Sequence, residues 1–339
     1  MTDEPVRLAT RGSRLAIAQT EAIKRDIEAH RRAVELVEVS TTGDELDEEL
    51  IHELGTTGAF VRALDEEVLE GRVHGAVHSM KDIPTDQHPR LVIAAIPPRG
   101  STEDVLITPD GRPLDELDEG SVVGTASLRR RAQLLMQRPD LEVEPIRGNI
   151  DTRLVKLYAA NLARDTKVAG PEQLLDRAAE RDVDTEYDAI VLARVGLERA
   201  GFEKTVAFDS LKMLTAAGQG AIAVTTLDDE FGAWLNDTID DPRSRVETTV
   251  ERRILATLGG GCVAPIAISA IIQGAHVQVN VQVLNRDGTD YIEAGEQLPV
   301  AEHVEAAEVF AQTLIDRGAD ELIEDAKRDI PGPRHRGDG

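Results

Sequence analysis

An alternation narrows the possible folds of this chain more than any other feature. Short aliphatic runs repeatedly give way to stretches with apolar residues at helical spacing. Val6 to Ala9 reads as a strand. After a Thr-Arg-Gly-Ser turn, Leu15, Ile17, Ala18, Ala22, Ile23 and Ile27 fall mostly on one helical face. Leu36 to Val39 reads as a second strand. Phe60, Val61, Leu64, Val68 and Leu69 mark a helix that Gly71 ends, and Val73 to His78 and Leu91 to Ile96 are further strands. Strand-helix-strand alternation predicts a mainly parallel sheet with helices on its faces.

Pro97-Pro98-Arg99-Gly100 reads as a hinge. A second series follows, with strands at Val105 to Thr108, Ser121 to Gly124, Val143 to Ile146 and Ala189 to Ala193. Tyr158 to Thr185 carries a helix signal of its own, Pro171 then Leu174, Leu175, Ala178 and Ala179. Ala221 to Thr225 is one more strand. The last third changes character. A helix over Arg245 to Leu258 breaks at Gly259-Gly260-Gly261-Cys262. Strand-like runs follow at Ile266 to Ile272, His276 to Leu284 and Tyr291 to Leu298, the last two joined by the turn Asn285-Arg286-Asp287-Gly288. One long amphipathic helix is expected over Glu302 to Lys327. The two α/β series are expected to repeat in structure, though no repeat is visible in sequence.

Composition bounds the function. Of 339 residues, 41% are hydrophobic and only 3% aromatic, so a packed core must be mostly aliphatic. No apolar run approaches membrane-spanning length, and Met1 to Arg14 has no apolar core of a signal peptide. A single cysteine excludes an internal disulfide framework and a multi-cysteine metal site. The net charge of -25 counts against nucleic-acid and anionic-membrane binding. The protein is therefore expected to be soluble and cytoplasmic. Its acidic, lysine-poor balance is halophile-like, since high salt screens self-repulsion.

Against that acidity, arginine clusters where strands run into helices. The segments are Leu8 to Ser13, Val123 to Arg130, Ile146 to Arg153, and Ala193 to Arg199. In open α/β sheets such junctions line the ligand crevice. Helix N-termini favour anions, and arginine matches carboxylates with two donors. The pattern calls for a ligand with several carboxylates or phosphates. Pairing with surface acids, with Ser13 and Ser127 as plain caps, is the bland alternative.

His78-Ser79-Met80-Lys81-Asp82 directly follows a strand. A carboxylate there, beside a lysine and a serine, could manage protons or stabilise a cation, or the segment could be an ordinary turn. His74 and His78 share a face but lack a third ligand nearby, so no metal is expected. Cys262 could be a small buried hydrophobe, but its glycine-rich loop leaves it accessible.

Taken in order, these segments resemble the hydroxymethylbilane synthase (porphobilinogen deaminase) family. The resemblance rests on Leu8 to Ala16, His78 to Asp82, Gly124 to Arg130, Arg147-Gly148-Asn149 through Leu154, Ala217 to Ala221, and Leu258 to Ile266. Each is moderately specific, and the ordered set is highly so. It implies two doubly wound domains like those of bilobed anion-binding proteins, plus a small α+β domain of three antiparallel strands and helices. The implied ranges are 1-98 with 221-240, then 99-220 with an insertion near 158-185, then 241-328. The tail, 329-339, is expected to be disordered.

The resemblance further implies a dipyrromethane cofactor joined by thioether to Cys262. Four porphobilinogen units are added with loss of ammonia, and hydroxymethylbilane is released with water and passed to uroporphyrinogen-III synthase. The enzyme is expected to be a monomer. By resemblance Asp82 is catalytic, steadying the azafulvene left by ammonia. Cys262, Lys81, Ser127, Arg129 and Arg130 hold the cofactor. Arg11, Ser13, Ser79, Arg147, Arg153 and Arg199 bind substrate.

Two departures stand out. Thr57 occupies the place of the family's usual loop lysine, after an acidic stretch from Asp44 to Glu53, and Tyr158 to Thr185 looks inserted, a surface helical decoration. Two other readings remain at this stage. A bilobed anion binder would need the arginine junctions but neither Cys262 nor Asp82. An RNA binder using Ser127 to Arg131 would have to overcome the charge and the shortage of aromatics.

Overall fold

A computed structural model describes residues 4–39, 57–164, 170–183, 185–261 and 264–328. The acidic stretch from Asp44 to Glu53, Cys262 and the tail at 329–339 lie outside the described residues. The first sheet is built from β1 (Val6–Thr10), β2 (Val34–Glu38), β3 (Gly75–Ser79), β4 (Leu91–Ala95) and β10 (Ile222–Leu227), in the order β2-β1-β3-β10-β4. Helices α1 (Arg14–Ala29), α2 (Thr57–Leu69) and α7 (Glu230–Ile239) cover it. The second sheet has β5 (Asp104–Ile107), β6 (Val122–Gly124), β7 (Glu142–Glu144), β8 (Ala189–Ala193) and β9 (Asp209–Ser210), in the order β7-β6-β8-β5-β9. Its helices are α3 (Leu128–Gln137), α4 (Ile150–Ala163), α5 (Glu172–Ala179) and α6 (Arg194–Arg199).

The two sheets repeat one plan. Three parallel strands, β2-β1-β3 or β7-β6-β8, are followed by one antiparallel strand, β10 or β5. That fourth strand is in each case the one that has just crossed from the other lobe. It enters against the direction of its neighbours, so the sheets are mixed where alternation alone predicted mainly parallel pairing. β5 and β8 are buried throughout, which explains the aliphatic runs Val105 to Ile107 and Ala189 to Ala193.

The crossings pack backbone on backbone. Gly100 N–H donates to Gly220 O at 3.1 Å. Gly220 has φ +89°, and a Cβ there would sit 2.7 Å from the carbonyl oxygens of Gly100 and Ser101. Only glycine accepts both demands.

The third unit joins α8 (Pro242–Thr257) to the sheet β11 (Ile266–Gln273), β12 (His276–Leu284) and β13 (Tyr291–Pro299), with α9 (His303–Ile315) and α10 (Ala319–Arg328). Val277, Val279, Val281 and Val283 alternate into its core. The edge strand β11 has its amides taken up by neighbours. Ile268 N–H donates to Thr215 O, Ala270 N–H to Glu251 Oε1 and Ile272 N–H to Glu247 Oε1, at 2.8, 2.9 and 3.0 Å. Two carboxylates one helical turn apart on α8 thus stand in for a missing strand.

Two expectations are corrected. The C-terminal helix is two helices, because Gly318 takes φ +92° just after α9 and the chain turns there. Tyr158, taken as the start of a surface decoration, lies inside α4 and is 1% exposed. Leu174 and Ala178 of α5 pack with it in the second core, so α5 is docked rather than appended.

Candidate active site

Each functional segment follows a parallel strand. Arg11 and Ser13 follow β1, and Ser79, Lys81 and Asp82 end or follow β3. Ser127, Arg129 and Arg130 follow β6, Arg147 and Arg153 follow β7, and Arg199 follows β8. The strand ends therefore point the same way within each sheet. The lobes meet at helix starts: Arg14 pairs with Asp151 at 3.1 Å and lies over the Phe202 ring at 5.2 Å.

The serines divide by role. Ser13 Oγ accepts from Ala16 N–H at 3.3 Å, and Ser127 Oγ accepts from Arg130 N–H at 3.4 Å, so both cap helices. Ser79 starts the 3-10 turn Met80–Asp82 without a side-chain cap. Met80, wholly buried, anchors this turn. Its N–H donates to Ala221 O at 3.0 Å, and a Cβ on Gly218 would lie 2.5 Å from Met80 Cγ.

Arg129 and Arg130, only 4% and 6% exposed, converge on Asp104, a fully buried carboxylate that the sequence reading did not single out. Arg129 Nη1 reaches Asp104 Oδ2 and Arg130 Nη2 reaches Oδ1, each at 2.8 Å. Gln219 Nε2 donates to the same Oδ1 at 2.8 Å. Burial alone would raise the Asp104 carboxyl, but the two guanidiniums hold it well below the usual carboxylate range. Arg129 also donates to Leu214 O and Arg130 to Val191 O. A carboxylate opening an otherwise aliphatic strand was the available signal for Asp104.

Lys81 and Asp82, both half-buried, face this group from the other lobe. Desolvation pushes the Lys81 ammonium down to about 8, helped by Arg130 and Arg129 and resisted by Asp82 and Asp104. Arg153 donates from Nε to Gly148 O at 2.8 Å. Desolvation and Arg130 push it down to about 10, with Asp82 pulling the other way. Lys81, Arg129, Arg130 and Arg153 therefore surround two carboxylates, Asp82 and Asp104, and an excess of desolvated positive charge results. Arg130 Nε is also buried without a hydrogen-bond acceptor. A ligand carrying several carboxylates would relieve both the charge excess and the unmet donor. Dipyrromethane, with its acetates and propionates, fits that demand.

Arg11 and Arg147 sit half-buried at the ends of β1 and β7. Arg199 donates from Nη2 to Gly220 O at 2.7 Å, at the crossing between lobes, and burial pushes it down to about 10. His78 bonds Asp65 at 3.0 Å and Thr225 at 3.2 Å beneath β3. Among the described residues no group of three His, Cys, Asp or Glu side chains could hold a metal ion. Nor is any helix long and apolar enough to cross a membrane.

Comparison with known proteins agrees with this chemistry. Residues 6–232 match the family described as "Porphobilinogen deaminase, dipyromethane cofactor binding domain", and residues 246–316 match "Porphobilinogen deaminase, C-terminal domain". A probable porphobilinogen deaminase of Halobacterium salinarum is 42% identical, across 96% of this chain and 99% of that protein. A porphobilinogen deaminase of Acidothermus cellulolyticus is 37% identical, across 95% and 92%. Among solved structures, an ABC transporter from Parabacteroides distasonis is 12% identical over 95% of both chains, with a TM-score of 0.39. The chain belongs to the porphobilinogen deaminase family.

Proposed function

We propose that this chain is a hydroxymethylbilane synthase in which Asp82 is the catalytic carboxylate and Cys262 the thioether attachment point. It is a transferase of tetrapyrrole synthesis that joins four porphobilinogen units head to tail with loss of ammonia. The observation that carries this reading is the set of desolvated cations, Lys81, Arg129, Arg130 and Arg153, gathered around Asp82 and Asp104.

Bound dipyrromethane supplies the primer to which porphobilinogen is joined. Lys81, Ser127, Arg129 and Arg130 hold its carboxylates. Arg129 and Arg130 arrive already oriented by Asp104, so little reorganisation accompanies binding. Arg11, Ser13, Ser79, Arg147, Arg153 and Arg199 take the acetate and propionate of the incoming unit. Asp82 stabilises the cation left when ammonia departs and accepts the pyrrole proton lost at coupling. Low local dielectric strengthens both effects. Cys262, as the attachment point, would keep the primer in place, so each addition would profit from proximity.

Domain limits of 1-98 with 221-240, 99-220 and 241-328 fit the three sheets. The net charge of -25 supports a monomer working in a salt-rich cytoplasm, away from nucleic acid and membrane. Its product goes to uroporphyrinogen-III synthase.

The test is intact mass under denaturing conditions, with turnover of porphobilinogen. The parent should carry one dipyrromethane, Cys262→Ser none, and Asp82→Asn should carry it while turning over very slowly. Normal turnover in either variant removes the role assigned to that residue.

A further inference from the structure

Asp82 ends a single 3-10 turn, closed by Ile83 N–H donating to Met80 O at 3.2 Å. One such turn is a weak support for a side chain whose placement matters. Its entry is firmly held, through Met80 and through Ile83, which is 2% exposed. Its exit runs into Pro84, which has no N–H to contribute, and then into exposed Thr85 and Asp86. There α8 intervenes. Arg252 Nη1 donates to Ile83 O and Nη2 to Pro84 O, both at 2.8 Å.

We infer that Arg252 is a positioning residue for Asp82, its guanidinium fork clamping the two carbonyls that directly follow the carboxylate. The inference rests on the reading of Asp82 as the catalytic group. Arginine suits the task because its donors are planar and fixed, whereas a lysine would offer a flexible point charge. The clamp is itself fixed. Its neighbour Glu251, and Glu247 one turn earlier, tie α8 to the amides of β11, and Glu251 also binds the lobe crossings through Arg99 and Gly218. The third unit thereby sets how far Asp82 stands from Lys81 and from the arginines of the second lobe.

The experiment compares Arg252→Gln, Arg252→Lys and Asp82→Asn in the cofactor-loaded enzyme. It reads cofactor by intact mass, kcat and KM for porphobilinogen, and the pH profile of kcat. Arg252→Gln should keep its cofactor and a KM within about twofold, lose roughly tenfold to a hundredfold in kcat, and shift the acidic limb of the profile. Arg252→Lys should recover part of that loss. A kcat within about twofold of the parent, or a loss shared by KM with an unmoved profile, overturns the inference. If Arg252→Gln does not fold, Arg252→Lys decides: a several-fold lower kcat at unchanged KM supports the clamp, and parent-like kinetics overturn it. Fast turnover by Asp82→Asn overturns the reading of Asp82 and the inference together. Slow Asp82→Asn beside parent-like Arg252→Gln overturns the inference alone.

Discussion

Arg99 and Glu251 meet as a two-pronged pair, Nη1 to Oε1 at 3.0 Å and Nη2 to Oε2 at 2.9 Å, with side chains 8% and 1% exposed. The same carboxylate accepts from Gly218 N–H at 2.7 Å and from Ala270 N–H at 2.9 Å. One buried group thus joins both lobe crossings to the third unit. Removing either partner strands the other without water, a loss of about 3–5 kcal/mol. Arg99→Ala and Glu251→Gln should each lower the thermal unfolding midpoint sharply, and the double change to leucine should not recover the loss, because the Gly218 and Ala270 amides then lack an acceptor. Single variants with parent-like midpoints would show that the pair carries no structural weight.

Asp104 yields a pH signature. Its folded pKa lies below the unfolded value of about 3.9. Its contribution is therefore present above about pH 4 and is lost as pH falls toward the folded value. Unfolding midpoints of the parent and Asp104→Asn should differ by a constant amount above about pH 4 and converge below it. A gap that widens toward acid would contradict the Arg129–Asp104–Arg130 arrangement as the cause.

Local chemistry was the legible part of this molecule. β8 and β12 match their expected spans because a continuous apolar run and a two-residue period are complete within the segment. Ser13 and Ser127 were open to two readings, cap or anion contact; the cap bonds span only three residues, which made them legible, and a hydroxyl that accepts from a backbone amide keeps its own hydrogen to donate to an anion. What holds the arginines was not legible. Asp104 meets Arg130 across 26 residues and Gln219 across 115, and Glu251 meets Arg99 across 152. No local pattern encodes such pairings. The reversed β5 and β10 were hidden for the same reason, since strand direction follows from which lobe the chain has just left. Gly318, by contrast, lay in plain view inside the expected long helix, and its left-handed backbone is a local break that amphipathic periodicity concealed.

Gly220 offers a test of the crossing itself. An alanine there would need φ +89° and would place its Cβ 2.7 Å from two backbone oxygens, neither of which can rotate away. Gly220→Ala should destabilise by about 2 kcal/mol or more, since strain and overpacking act together. Gly259→Ala is the control: its φ is +64° but nothing lies within 4 Å, so only the backbone strain applies. Equal unfolding midpoints for the two variants would rule out a steric role for the Gly100–Gly220 contact.

Lys81 sets stability against binding. Its folded pKa of about 8 lies below the unfolded value of about 10.4. Between these values the unfolded chain holds more protons, so stability rises with pH, and below about pH 8 the cost of the enclosed charge is fully present. In the Cys262→Ser background, kept free of cofactor, Lys81→Met should therefore raise the unfolding midpoint at pH 7. The advantage should fade as pH climbs from about 8 toward 10. Anion binding runs the other way, because a carboxylate ligand needs the ammonium charged, and in the vacant cofactor site of Cys262→Ser porphobilinogen affinity should fall over the same interval, but not once Lys81→Met is added. Differential scanning and titration across pH 6.5 to 10 read both trends. A Lys81→Met protein less stable than its background at pH 7 would mean that the ammonium is adequately satisfied by its own neighbours, and that the cation cluster is not held in readiness for a polyanion.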